Sequence, residues 1–353
     1  MSMRSAGNHI ALPKNMALLG ACCFFLSAIE YLIPKPLPFL RIGLANLPLM
    51  LALNIFPLRA YIVLVCIKVT GQALITGTLF SYIFLFSIAG TFSSAMLMFT
   101  LKRIFKQRIS FVGIGTAGAM VSNTAQLALA WFFIFKESVR YIAPPFLAVG
   151  LAAGAALGVF CEVFVKRSKW YNDQIANSNE QLVNNREKSL LPTPHCQLAA
   201  ATQTNLTPIL IGCFLITLAI LFSPSTVYRV AAFLFLWVIA LIFNKAGNPV
   251  FTIIVIAVII AFNLLVPYGY VLFSIGPFKI TSGALVAGIH RAVTFQALVM
   301  LSKLTIREDL RLPGAFGKLL SESLQIFNKM TTQKIKFTGK NIIENIDTLL
   351  MGL

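Results

Sequence analysis

Long apolar blocks, nearly free of charge, dominate this chain and remove most folds from consideration. A block of about 17 to 25 apolar residues is long enough to cross a hydrocarbon core about 30 Å thick. Such blocks fall near 16–33, 43–56, 59–79, 82–101, 111–135, 143–165, 207–222, 227–243, 250–272 and 280–302, the second of them short. A soluble domain fills one core and has no use for so many. Of the 353 residues, 58% are hydrophobic and 11% charged, about half the charge of an average soluble domain. The expected fold is all-α: a polytopic membrane protein of about ten transmembrane helices.

The formal charge of +18 invites a nucleic-acid reading, but the basic residues sit in short clusters beside apolar runs. They do not form one stripe with interleaved aromatics, so no nucleic-acid partner is expected. Lys102, Arg103, Lys106 and Arg108 follow the fourth block, and "KRSK" at 166–169 follows the sixth. Placing both clusters on the cytoplasmic side fixes an N-in arrangement with both ends of this half inside, which agrees with Arg4 and Lys14. Residues 166–206, polar and Asn-rich, read as a cytoplasmic linker between a six-helix domain (1–165) and a four-helix domain (207–353). The second domain closes in cytoplasmic amphipathic segments, where Leu319, Leu320, Leu324 and Phe327 share one helix face after "LPGAFG". That face suits either a partner or the membrane surface.

Polar side chains inside apolar blocks are expensive, so each is a candidate for solute contact, although helix packing also consumes them. Lys68 and Gln72 lie one turn apart in the third block, and Asn123 and Gln126 share a face in the fifth. Glu30 lies near the end of the first block, and a buried Lys68–Glu30 ion pair would look the same in sequence. Arg41 and Asn46 stand at the mouth of the second. An arginine there either holds a phosphate or carboxylate by paired hydrogen bonds or reaches outward to headgroups. Small residues at Ala17 and Ala21, and at Gly150, Gly154 and Gly158, let helices approach closely.

Several chemistries lack their residues. "GIGTAG" at 113–118 spells a dinucleotide fingerprint, but a basic loop precedes it where a βαβ unit needs a strand. No phosphate loop of the GxxxxGK[ST] type occurs. Asp173, Asp309 and Asp347 are the only aspartates, too scattered to form a pair that holds magnesium on a diphosphate. The six cysteines and three histidines show no metal-ligand spacing. The chain is therefore expected not to be an enzyme, and to need neither a metal nor a cofactor.

The segments "AIEYLIPKPLPFLRIGLANLPLMLAL", "TLFSYIFLFSIAGTFSSAMLM" and "SFVGIGTAGAMVSNTAQLAL" resemble, in that order, the family called heptaprenyl diphosphate synthase component I, also labelled the Gx transporter family. The resemblance spans about 16–165 and departs at Arg41, where lysine is usual, at Lys68, near a position often arginine, and at Ser122, where a histidine commonly precedes the asparagine. It implies a six-helix domain like the substrate-binding S components of energy-coupling factor transporters, with Ala17 and Ala21 as docking residues. Residues 207–330 resemble the transmembrane T component of those transporters, which seats on ATPases, with Arg307 and Arg311 near the expected docking segment. The implied protein is a bacterial inner-membrane transporter subunit with both termini cytoplasmic and ATPase subunits supplied in trans. It would bind a small molecule through Arg41, Asn46, Lys68, Gln72, Asn123 and Gln126; a flavin or an isoprenoid or quinone precursor fits the family's associations. The alternative, carried by the family name, is a noncatalytic membrane subunit of a polyprenyl diphosphate synthase.

Overall fold

A computed structural model describes residues 8–32, 43–106, 108–184, 207–223, 225–245, 247–275, 278–305, 314–332, 346–347 and 350. Arg41, Arg307 and Arg311 lie outside these residues. The described chain is overwhelmingly helical. Among its residues, Leu58–Thr76, Tyr82–Phe105, the run Phe111–Arg167 and Ser282–Thr305 are long and apolar enough to cross a membrane, and three shorter apolar helices accompany them. The protein is an all-α membrane protein, with one small sheet among the described residues.

The first half contains α1 (Asn8–Leu32), α2 (Leu47–Ala52), α3 (Leu58–Thr76), α4 (Tyr82–Phe105), α5 (Phe111–Ala130) and α6 (Val139–Arg167). The second expected span is as short as its sequence implies: a 3₁₀ turn at Leu44–Asn46 leads into six residues of α2, about 9 Å of helix. Pro57, with an extended backbone, starts α3, and Gly77 at φ 68° stops it, a left-handed conformation open to glycine at no steric cost. Ser110 caps α5 by accepting the Gly113 N–H at 3.1 Å. The helix continues into a π-helical turn, Trp131–Phe135.

α5 and α6 form an antiparallel pair whose seam is glycine. A methyl group added at Gly154 would lie 2.7 Å from the Gly115 carbonyl oxygen, and one at Gly158 would lie 2.5 Å from Val112 Cα. The "GIGTAG" segment is thus helix packed on helix, and its glycines serve backbone approach rather than a phosphate.

After α6 the polar segment begins in a helix. It forms α7 (Lys169–Asn184), tied back to the first half by Asn15 Nδ2 donating to Gln174 Oε1 and by Asn54 Nδ2 donating to the Tyr171 hydroxyl at 2.9 Å. Burial pushes the Tyr171 phenol up from its ordinary range, and the Asn54 bond only partly opposes this. Asp347 closes the same junction. Its carboxylate accepts from Ser168 Oγ and from the Lys169 N–H, where the start of α7 favours negative charge.

The second half packs α8 (Thr207–Phe222), α9 (Thr226–Ile242) and α10 (Pro249–Leu264) around α11 (Ser282–Thr305). The expected span at 250–272 ends eight residues early, at Leu264. An antiparallel hairpin follows, β1 (Val271–Ile275) and β2 (Phe278–Thr281), with Phe273 opposite Ile280 and Ser274 opposite Lys279. Helix α12 (Gly314–Thr332) is the last long element among the described residues.

Two further contacts among the described residues show how the halves meet. α12 lies against α1: Phe24 and Phe327 meet edge to face at 6.3 Å, and a methyl group at Gly20 would lie 2.7 Å from Ser323 Oγ. Leu319, Leu320, Leu324 and Phe327 therefore pack into the core that holds α1, α2 and α3. α11 makes the second contact. Arg291 donates to the Ile134 carbonyl at 3.4 Å, Tyr82 stacks with Phe295 at 6.3 Å, and Ser302 Oγ accepts the Phe80 N–H at 3.1 Å. Residues 80, 82 and 134 all belong to one end of the first bundle, yet they touch α11 over eleven residues, about 17 Å of its length. α11 consequently runs across the end of the six-helix half, not alongside it.

Candidate functional site

Helical periodicity in α3 and α5 aims their few polar side chains into one space. Lys68 and Gln72 from α3, and Ser122, Asn123 and Gln126 from α5, line a single cavity. They are joined by Glu30 from α1, Gly43, Ala45 and Asn46 from the 3₁₀ turn, Phe86, Ser87 and Thr91 from α4, Ala119 from α5 and Gly150 from α6. The cavity has a volume of about 30 Å³, room for a water molecule or two as it stands, so a larger solute requires the lining to part. The structure thus brings together five of the six residues expected to contact a solute; Arg41, the sixth, lies outside the described residues.

The wall is braced by hydrogen bonds between elements. Lys68 Nζ donates to Asn46 Oδ1 and, at 3.5 Å, to Thr91 Oγ1. The Gly43 N–H donates to Glu30 Oε1 at 3.1 Å. Asn123 Nδ2 donates to the Phe146 carbonyl at 3.1 Å, which fixes α6 against α5, and Gln126 Nε2 donates to Ser122 Oγ at 3.0 Å. Two glycines make this possible. A methyl group at Gly150 would lie 1.9 Å from Asn123 Nδ2, and one at Gly90 would lie 2.7 Å from Gln126 Nε2.

Lys68, Glu30, Gln72, Asn123 and Gln126 are all buried, so the cavity is a polar island inside an apolar bundle. Such an arrangement can hold a polar solute by hydrogen bonds and charge. Among the described residues no three His, Cys, Asp or Glu side chains converge.

Sequence reading missed Ser87 and Thr91. Serines and threonines in membrane helices often satisfy themselves on the preceding turn, as Thr100, Thr116 and Thr124 do here. The i, i+4 spacing of Ser87 and Thr91 was the usable signal. A second polar set, in the other half, was also unforeseen. Arg229 donates to the Leu221 carbonyl at 2.8 Å, to the Ser223 carbonyl at 2.6 Å and to Thr294 Oγ1 at 2.7 Å. It thereby satisfies carbonyls left open where α8 ends. Arg291 and Asn263 bond each other and both donate to Ile134 in the π-helical turn. These are ties between elements, at a distance from the cavity lining.

Ala17 and Ala21 are buried, 1% and 0% exposed, on the face of α1 that also carries Gly20 and Phe24 by helical spacing. No curated protein and no solved structure matches the chain. Two family models match parts of it: residues 208–308 fit one described as a domain of unknown function (DUF8519), and residues 19–164, which carry the whole cavity, fit one described as heptaprenyl diphosphate synthase component I.

Proposed function

We propose that the chain is the membrane subunit of an energy-coupling-factor-type transporter in which a solute-binding half is fused to its scaffold. One observation carries this reading: Asn46, Lys68, Gln72, Asn123 and Gln126 converge on one enclosed polar cavity in a bundle of apolar helices. Polar groups in lipid are costly enough that they gather where function uses them. The α1–α12 seam supports a docking role for Ala17 and Ala21, since a small-residue face on the solute-binding half meets a helix of the other half. On this reading Arg41 stands near the cavity mouth, and Arg307 and Arg311 belong to the segment that seats on separate ATPase subunits. The chain itself is not an enzyme. Both termini lie on the cytoplasmic side of a bacterial inner membrane, following the basic clusters. If Arg41 holds an anionic group of the solute, Arg41→Gln lowers solute retention sharply and Arg41→Lys lowers it less.

The match of residues 19–164 to a model named for a synthase component favours a second reading, a noncatalytic membrane subunit of a polyprenyl diphosphate synthase. Affinity purification of the full chain in mild detergent separates the two. Copurifying ATPases support the transporter, and a copurifying prenyltransferase without ATPases overturns it.

A further inference from the structure

Two residues of the cavity lining each carry an acceptor without a partner. Oε1 of Gln72 and Oε1 of Gln126 are buried and without a hydrogen-bond partner, on residues only 6% and 3% exposed, and both residues line the same space. They belong to different helices, α3 and α5. Other amides of the lining are committed. Asn46 Oδ1 takes the Lys68 ammonium, Asn123 Nδ2 holds the Phe146 carbonyl, and the nitrogen end of Gln126 holds Ser122. Those groups build the wall, whereas the two glutamine oxygens are acceptors awaiting donors.

A carbonyl oxygen cut off from water without a donor is strongly disfavoured. An isoprenoid or other hydrocarbon chain seated in the cavity would drive out water and leave both oxygens unpaired. A solute with N–H or O–H groups would pair them, and a site built in this way rejects analogues that lack the donors far better than an apolar pocket rejects a change of size. We propose that the cavity selects a polar solute with at least two hydrogen-bond donors, one for Gln72 Oε1 and one for Gln126 Oε1, and excludes hydrocarbon chains. This rests on the solute-binding reading above and narrows the substrate class of that site. Gln72 and Gln126 become its specificity-determining residues, and Asn46 and Asn123 its positioning residues.

The test uses the full chain, purified into nanodiscs from its expression host. Bound small molecules are extracted and weighed, and their exchangeable hydrogens are counted from the mass gained in deuterium oxide. Ala45→Trp, which fills the cavity, identifies the relevant molecule as one that the variant loses. That molecule is expected to gain at least two deuterons, and Gln72→Met and Gln126→Met are each expected to lower its occupancy about tenfold or more. Should a methionine variant misfold, Gln→Asn replaces it, withdrawing the oxygen by one carbon. A molecule with no exchangeable hydrogen, or one held equally by both variants, overturns the donor rule and leaves solute binding standing. If the wild type holds nothing that Ala45→Trp displaces, both readings fail.

Discussion

At the scale of single residues, glycine governs how closely this bundle can close. The three glycines of α6 differ in what a side chain would strike. At Gly158 a methyl group meets the backbone of Val112 at 2.5 Å, which cannot yield without parting the helices. Gly158→Ala is therefore expected to cost about 1–3 kcal/mol or more, read as a lowered unfolding temperature in detergent. At Gly150 the group struck is the Asn123 amide, the end of a side chain that can turn away. Gly150→Ala is expected to cost less stability and more solute retention, because the Asn123–Phe146 bond breaks. Gly212 has nothing within 4 Å, so Gly212→Ala should be neutral or stabilising by up to about 1 kcal/mol; equal losses at all three positions would contradict this ordering. The cavity residues were legible for a related reason. A lysine or an amide in an apolar helix has few uses, and spacing fixes its face. Ser87 and Thr91 were not legible, because hydroxyls have a self-sufficient alternative in every helix.

At the scale of elements, the same clarity fails where apolar content outlasts the helix. "VPYGYVLFSI" is as apolar as a span, and hydropathy ran it into α10. Its tyrosines, valine and phenylalanine favour strand, and Pro267 and Gly269 mark the turn that separates α10 from the hairpin. The shortness of the second block was legible, and its helix α2 runs only six residues. The closing amphipathic helix was legible as a face, but its occupant was not, because sequence spacing cannot name what a face meets. The α1–α12 contact can be tested directly. With the two halves expressed as separate polypeptides, Ala17→Trp and Ala21→Trp are expected to reduce copurification of the first half with the second at least several-fold, with membrane insertion unchanged. Full copurification would remove α1 as the docking helix.

At the scale of the whole molecule, the crossing of α11 over the end of the first bundle bears on how the protein sits in a bilayer. By the expected parity, the α3–α4 turn lies at the outer end of its half and the last turn of α11 at the inner end of the other. A methyl group at Gly77 would nevertheless lie 3.4 Å from the Lys303 side chain. If α11 spans upright, the six-helix half lies steeply tilted to it, and the cavity turns with that half. Cysteines at Phe80→Cys and Ser302→Cys, in a background freed of native cysteines, should cross-link in most molecules under mild oxidation, as the Phe80 N–H already lies 3.1 Å from Ser302 Oγ. Failure to cross-link while maleimide labels each cysteine would overturn the crossing. The α1–α12 seam has a consequence of another kind. Its partners are covalently joined, so docking is a first-order event whose effective concentration is on the order of millimolar. A free copy of residues 1–165 supplied at micromolar concentration would claim roughly one seam in a thousand. Each molecule therefore works with its own first half, in fixed one-to-one stoichiometry and without competition from rivals in the same membrane.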